Sequence, residues 1–523
     1  MLRTWPQAGK SRATKRRLAV CFDTWSGPAG RRPGCGRRQC GSAAPSLGTP
    51  FATLFEKVKL EMTVRLGKPR RDSVPIHAVD RAGFAASGDA LDKRARRWLK
   101  SLGFSGAPDT HALLPADDGS IQAVWAGVRS AADPWVGALL PKALPAGPYH
   151  LGDGGLALDA GAVALAWELG GYSFDLYKPA RREPAELTLA DSDAAQRALI
   201  VAAAIASTRD LINTPAEHLS PAALAEAVRL VARQHGATFK QVVGDKLLTA
   251  GFPAIHAVGR AADAASGRAP RLIELNWGKA RHPRITLVGK GVCFDSGGLD
   301  IKGAEGMRLM KKDMGGAANA LGLAQMIMAL QLPVRLQLLI PAVENSIAGN
   351  AFRPGDVFKT RQGLHIEIGN TDAEGRVILC DAIAYGAESK PALLIDLATL
   401  TGAARIALGT QLPALFCRNI VQARELVDLG MSVQDPLWHM PLWAPYHGGI
   451  ESDIADIVNT GRSPMAGAIN AALFLEDFVP AAQEWLHIDM HAWNDGSRPG
   501  RPPGGEAQTL RTLLAYLQQR FGA

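Results

Sequence analysis

What the sequence lacks narrows it first. No run of apolar residues approaches the roughly 18 that a membrane-spanning helix needs. The densest, residues 199–206, is far too short. There is no disulfide framework: Cys21, Cys35 and Cys40 stand near the start, and Cys293, Cys380 and Cys417 lie far apart in apolar or small-residue surroundings. That usage suits a reducing compartment, so a cytoplasmic location is expected. Acidic residues are missing before Asp23, where six Lys and Arg already stand. Beyond residue 61, an excess of either charge is missing. Residues 1–61 hold 12 Lys and Arg against 3 acidic residues, and the rest of the chain holds 46 of each. The formal +9 belongs to the first segment, and the body has no electrostatic footprint for nucleic acid.

What is there is an ordinary globular composition, 47% hydrophobic over 523 residues, enough for two domains. Residues 1–61 read as a basic, disordered extension, a transit peptide, or sequence upstream of a true start at Met62; the last is preferred. Residues 62–190 read as a small α/β domain. Strands are expected at 75–79 and 121–125, and helices at 91–102, 135–144 and 156–169, the last closed by Gly170-Gly171. No cluster of ligand-type residues stands out there. Prolines and charges at 179–195 mark the connection. Residues 191–523 alternate strand and helix patterns, the sign of a mixed, largely parallel sheet covered by helices on both faces. Ser220-Pro221 reads as the N-cap and first position of a helix running to about His235.

Two stretches carry chemistry. In Asn370-Thr371-Asp372-Ala373-Glu374-Gly375-Arg376, between an alternating strand pattern at 364–368 and a helical one, two carboxylates precede a turn glycine and an arginine. Hard oxygen donors at a strand end, with a cation behind them, suggest a metal site with an anion nearby. Taken alone, the stretch also reads as a loop with a Glu–Arg pair. The second stretch runs from Lys290 through a glycine-rich loop with Asp295-Ser296-Gly297-Gly298 to Lys302. Asp313 follows, before Met314-Gly315-Gly316, where it could simply cap a helix. The loop lacks the Gly-Lys-Ser/Thr order of a phosphate loop. Cys293 could be a thiolate ligand, but a buried small hydrophobe is the preferred reading. Asp295, Asp313, Asp372 and Glu374 gathered at one sheet edge would repel strongly without dications, and two bridged metals form a known hydrolytic device.

These motifs, with Asp396-Leu397-Ala398-Thr399-Leu400-Thr401-Gly402-Ala403 and Ser452-Asp453-Ile454-Ala455-Asp456-Ile457, resemble the leucine (cytosol) aminopeptidase family; Val377 stands where that family usually has Leu. The resemblance implies a metal-dependent aminopeptidase that releases the N-terminal residue, preferably Leu or another apolar residue, through a two-metal-activated water. It implies one metal on Asp295, Asp372 and Glu374, and another on Lys290, Asp295, Asp313 and Glu374. Lys290 would then be neutral, its pKa brought from about 10.4 to below 7, roughly 5 kcal/mol. Lys302 would polarise the scissile carbonyl, and Arg376 would hold a bicarbonate base. Met310 and Thr399 would line the side-chain pocket. Mn²⁺ or Zn²⁺, peptides with a free N-terminus and a homo-hexamer are the implied partners. A competing reading adds nucleic-acid binding, for which only residues 1–61 have the charge.

Overall fold

The computed structural model describes residues 62–87, 91–153, 155–180 and 182–522. The readings made for residues 1–61 fall outside these. The first domain holds a six-stranded sheet, ordered Val64–Leu66, Glu186–Leu189, Pro148–Leu151, Val74–Val79, Ile121–Gly127 and His111–Pro115. All neighbours are parallel except the last pair, a hairpin. The stretch expected as a plain connection contains Glu186–Leu189, which pairs with strands on both sides. Strands of three or four residues are too short to show the two-residue period that marks a strand in sequence.

Three helix expectations shift. The helix expected at 135–144 shrinks to Leu140–Ala143, because Pro141 is tolerated only in a first helical turn. The helix expected from 156 starts at Ala160, where the Asp159 carboxylate accepts from Ala162 N and caps it. Gly170 and Gly171 belong to this helix rather than close it. A Cβ on Gly170 would lie 1.8 Å from the Ala138 carbonyl, so the residue is small to admit a neighbouring chain.

The second domain holds a nine-stranded mixed sheet. Its order is Trp438–His439, Ala414–Cys417, Trp485–Asp489, Leu393–Ala398, Arg284–Gly289, Arg335–Asn345, Arg271–Trp277 and Thr238–Val243, with Gly291–Asp295 also on Arg335–Asn345. The centre is parallel. Its strands are buried along almost their whole length because both faces are covered. Asp193–Asn213, Pro221–His235 and Gly315–Ala329 pack into one buried cluster, and Glu374–Glu388 into the other. Ser220 caps Pro221–His235 as expected. The strand expected at 364–368 is shorter, His365–Glu367, and lies in a separate three-stranded sheet with Val357–Lys359 and Ile457–Val458. His365 is exposed beside Asp456, 3.4 Å away, and fills no face. Cys293 is buried in the core. Among the described residues, no helix is long and apolar enough to cross a membrane.

Candidate metal centre

The site lies where the parallel strands end. The Lys290 backbone is fixed at both ends: its N–H donates to Leu397 O at 3.0 Å and its carbonyl accepts from Ala317 N at 2.9 Å. The chain then continues as Gly291–Asp295, whose pairing with Arg335–Asn345 slips between Val292 and Phe294. Such a bulge re-aims the residues beyond it. Asp295 thereby stands opposite Asn345, whose Nδ2 donates to Asp295 Oδ1 (2.9 Å) and to Thr371 O (3.0 Å). One asparagine thus ties the two motif-bearing stretches together. At Gly297, φ is +88°, and a Cβ there would meet Asp300 O at 2.4 Å.

The Asn370–Arg376 stretch is braced from the other side by Asn459. Its Oδ1 accepts from Gly369 N and Asn370 N, and its Nδ2 donates to Asn370 O. Glu374 is the first residue of the helix Glu374–Glu388, so Asp372 and Glu374 converge through a turn and a helix start rather than along one extended chain. Gly375 makes no sharp turn. A Cβ there would fall 2.6 Å from Lys290 Cε, so glycine leaves the space the lysine crosses. Asp313 lies in the tight turn Met310–Met314 and caps nothing. Its Oδ1 accepts from Thr399 Oγ1 at 2.9 Å, and Thr399 O accepts from Lys290 Nζ at 2.9 Å. Met310 is half-buried in the same turn.

All five expected metal ligands come together. Asp295, Asp372 and Glu374 each offer a carboxylate oxygen within 4.8 Å of the others. Lys290 Nζ lies 2.8 Å from Asp313 Oδ2 and 2.9 Å from Glu374 Oε1. Both oxygens are within ion-pair range of the amine yet outside hydrogen-bonding geometry, and the buried Glu374 Oε2 has no hydrogen-bond partner. Lys302 Nζ is 2.8 Å from Asp295 Oδ2 and pairs with Asp372 Oδ1. Arg376 is buried; its Nη1 donates to Asn459 O at 2.8 Å, and its Nε has no partner.

The electrostatics are those of crowded like charges. Burial, then Asp313, pushes Asp295 up to about 6, with Lys302 and Lys290 pulling back. Burial and Asp295 hold Glu374 well above the usual carboxylate range. Burial brings Arg376 down to about 10. Burial opposes the Lys290 ammonium, but Asp313, Glu374 and Asp295 outweigh it and raise its pKa. The protein's own groups therefore favour a charged Lys290, and the neutral amine that the resemblance implies needs the dications beside it. Lys302 is raised in the same way, by Asp295 and Asp372 against burial. Buried oxygens without hydrogen bonds, packed at close range, are the donor set a hard divalent cation takes. The residues fit such a group.

The family model for the cytosol aminopeptidase family, catalytic domain, matches residues 206–514. The chain belongs to this family. A second family model, the M17 aminopeptidase N-terminal domain, matches residues 74–190. A probable cytosol aminopeptidase of Geobacter sp. (strain M21) is 40% identical over 375 residues, 69% of this chain and 75% of the relative. The solved cytosol aminopeptidase from Coxiella burnetii aligns at TM-score 0.83 and 46% identity, over 88% of this chain and 99% of that one. The bottromycin maturation enzyme BotP, solved in complex with Mn, aligns at TM-score 0.75 and 32% identity, over 86% and 100%. Family membership makes this chain a metal-dependent aminopeptidase, a hydrolase that acts on peptides.

Proposed function

We propose that the chain removes the first residue from peptides with a free N-terminus at a site built on Lys290, Asp295, Asp313, Asp372 and Glu374. The observation that carries this reading is the gathering of three carboxylate oxygens within 4.8 Å, beside a buried lysine and carboxylate oxygens without hydrogen bonds. Asp295, Asp372 and Glu374 would hold one ion, and Lys290, Asp295, Asp313 and Glu374 the other. Mn²⁺ or Zn²⁺ suits oxygen donors with one amine. When bound, the two ions supply Lewis acidity and an activated water. Lys290 joins the ligand set only as a free amine, and dications among the carboxylates reverse the field that keeps it charged.

Lys302 does separate work. Held raised by Asp295 and Asp372, it stays an ammonium and would donate to the scissile carbonyl oxygen as negative charge develops there. Arg376 presents a buried guanidinium with an unspent N–H, suited to a planar anion such as bicarbonate acting as general base. Met310 and Thr399 would line the pocket for the first side chain and favour Leu or another apolar residue. We place the enzyme in the cytoplasm, as a hexamer. The alternative of an added nucleic-acid role rests on residues 1–61 alone.

The test is cleavage of Leu-p-nitroanilide by the full chain. Activity should be lost on chelation and restored by Mn²⁺ or Zn²⁺. Activity that survives exhaustive chelation would sink the reading.

A further inference from the structure

Of the motif from Asp396 to Ala403, only Thr399 enters the proposed mechanism. The rest is organised by two buried carboxylates on the neighbouring parallel strands Leu393–Ala398 and Trp485–Asp489. Asp396 holds the second strand to the first: its Oδ2 accepts from Trp485 Nε1 at 2.7 Å, and its Oδ1 lies 2.6 Å from His487 Nδ1. Asp489 returns the tie. It is 2% exposed, ends the second strand opposite Ala398, and reaches past the end of the first. Its Oδ1 accepts from Leu400 N at 2.9 Å and Thr401 N at 3.1 Å, and its Oδ2 from Thr401 Oγ1 at 2.6 Å. Thr401 Oγ1 accepts in turn from Ala404 N at 3.0 Å and caps the helix Gly402–Leu408. Just before this anchored stretch stands Thr399. Its carbonyl accepts from Lys290 Nζ at 2.9 Å, and its hydroxyl donates to Asp313 Oδ1 at 2.9 Å.

Thr399 O and Leu400 N belong to one peptide unit, which is planar and trans, so the carbonyl and the N–H point opposite ways. Asp489 grips the N–H side, and Lys290 meets the carbonyl side. Fixing one end of that plane aims the other. In a ligating amine, the bond to Thr399 O engages an N–H and leaves the lone pair for the ion. A carboxylate suits the task, since its bonds to backbone N–H are charge-assisted and firm. Among the described residues, the side-chain hydrogen bonds of Thr399 and the one its carbonyl accepts from Lys290 reach only Lys290 and Asp313. Asp295 and the Asn370–Arg376 stretch are held elsewhere, by Asn345 and Asn459. We infer that Asp489 is a positioning residue for one of the two metal positions, that of Lys290 and Asp313, and acts through the peptide between Thr399 and Leu400. This rests on the two-metal reading.

The test is Mn²⁺ binding by the full chain in equilibrium dialysis, with wild type, Asp489→Ala, Asp489→Asn and Thr401→Val compared. Losing the outer support of a metal ligand costs about 10- to 100-fold in affinity, so Asp489→Ala should weaken one of the two ions by that much. The other ion should keep its wild-type affinity. Asp489→Asn retains an acceptor for Leu400 N and should recover most of the loss. Thr401→Val leaves the grip on Leu400 N and should weaken the same ion, but less than Asp489→Ala does. In a Lys290→Met background, Asp489→Ala should add little, because the amine it aims is gone. A general loosening of the fold would weaken both ions alike, and an irrelevant contact would weaken neither; either result in Asp489→Ala overturns the inference. So does a full, additive loss in the Lys290→Met background. If Asp489→Ala does not fold, Thr401→Val carries the test, and wild-type binding of both ions by that variant overturns the inference. A wild type that binds two ions, matched by Asp489→Ala, leaves the two-metal reading standing; a wild type that binds none sinks both.

Discussion

The two domains are both largely parallel sheets covered by helices, yet they treat buried charge in opposite ways. In the first domain, Glu168 is the one buried charge among the described residues, and it is tied to the fold: it accepts from Val64 N at 2.5 Å and from Thr63 Oγ1, holding the edge strand Val64–Leu66 in place. The catalytic domain buries many charges, of two kinds. Asp381 accepts from the backbone of Ala254, Ile255 and Arg361, and Asp435 accepts from Thr509 N and Arg511 N. These brace loops and elements. Lys290, Asp295, Asp313 and Glu374, with the half-buried Asp372 beside them, are different, because they crowd one another and leave buried oxygens without hydrogen bonds. A buried charge satisfied by neutral backbone closes a fold. A buried cluster that keeps oxygens without hydrogen bonds marks a place for something else.

That contrast breaks most visibly at Glu374. Glu374→Gln keeps the shape and removes an anion, so kcat/KM on Leu-p-nitroanilide should fall on the order of 10³-fold, while thermal unfolding stays cooperative. Gly375→Ala sharpens the point, since it touches no charge. Its methyl occupies the space of Lys290 Cε, so activity should drop roughly 100-fold by displacing the lysine, at a stability cost of about 1–3 kcal/mol. Wild-type activity in this variant would mean that the position of Lys290 does not matter. Asn345→Ala removes the brace between Asp295 and Thr371 and should weaken Mn²⁺ binding about 10- to 100-fold, read by equilibrium dialysis.

The last effect falls on the stability of the other domain and leaves the site untouched. Burial pushes Glu168 up to about 7 from 4.5. The folded state favours the protonated acid, so this group's contribution is fully present below about pH 4.5 and is lost as pH rises through about 7, on the order of 3 kcal/mol. Glu168→Gln keeps an acceptor for Val64 N and cannot ionise. The gap in denaturant stability between variant and wild type should therefore widen in the variant's favour from about pH 5 to about pH 8. A constant gap would contradict the assignment.

Much of this was legible in the residues themselves. Asp295, Asp313, Asp372 and Glu374 could be picked out because each is read at a strand end or helix start, where ligands gather in α/β sheets, whereas Lys290 entered only through the family resemblance. The mixed sheet followed from strand and helix patterns in alternation. Asn345 and Asn459 were not legible, because an asparagine carries no pattern and each braces a stretch distant in sequence. The reason for Gly375 was misread as a turn, since only tertiary contact brings Lys290 across it. Thr399 was assigned to the pocket from resemblance, and nothing in the sequence showed that its hydroxyl and carbonyl also brace Asp313 and Lys290. The short edge strands of the first domain gave too few residues for a period.

The most direct measurement is the number of Mn²⁺ ions bound at equilibrium by the full chain, wild type against the Asp295→Asn, Glu374→Gln double variant. The account predicts about two ions per wild-type chain, with both weakened together in the variant, because these two carboxylates serve both positions. A wild type that binds none, or a double variant that binds as the wild type does, would contradict it.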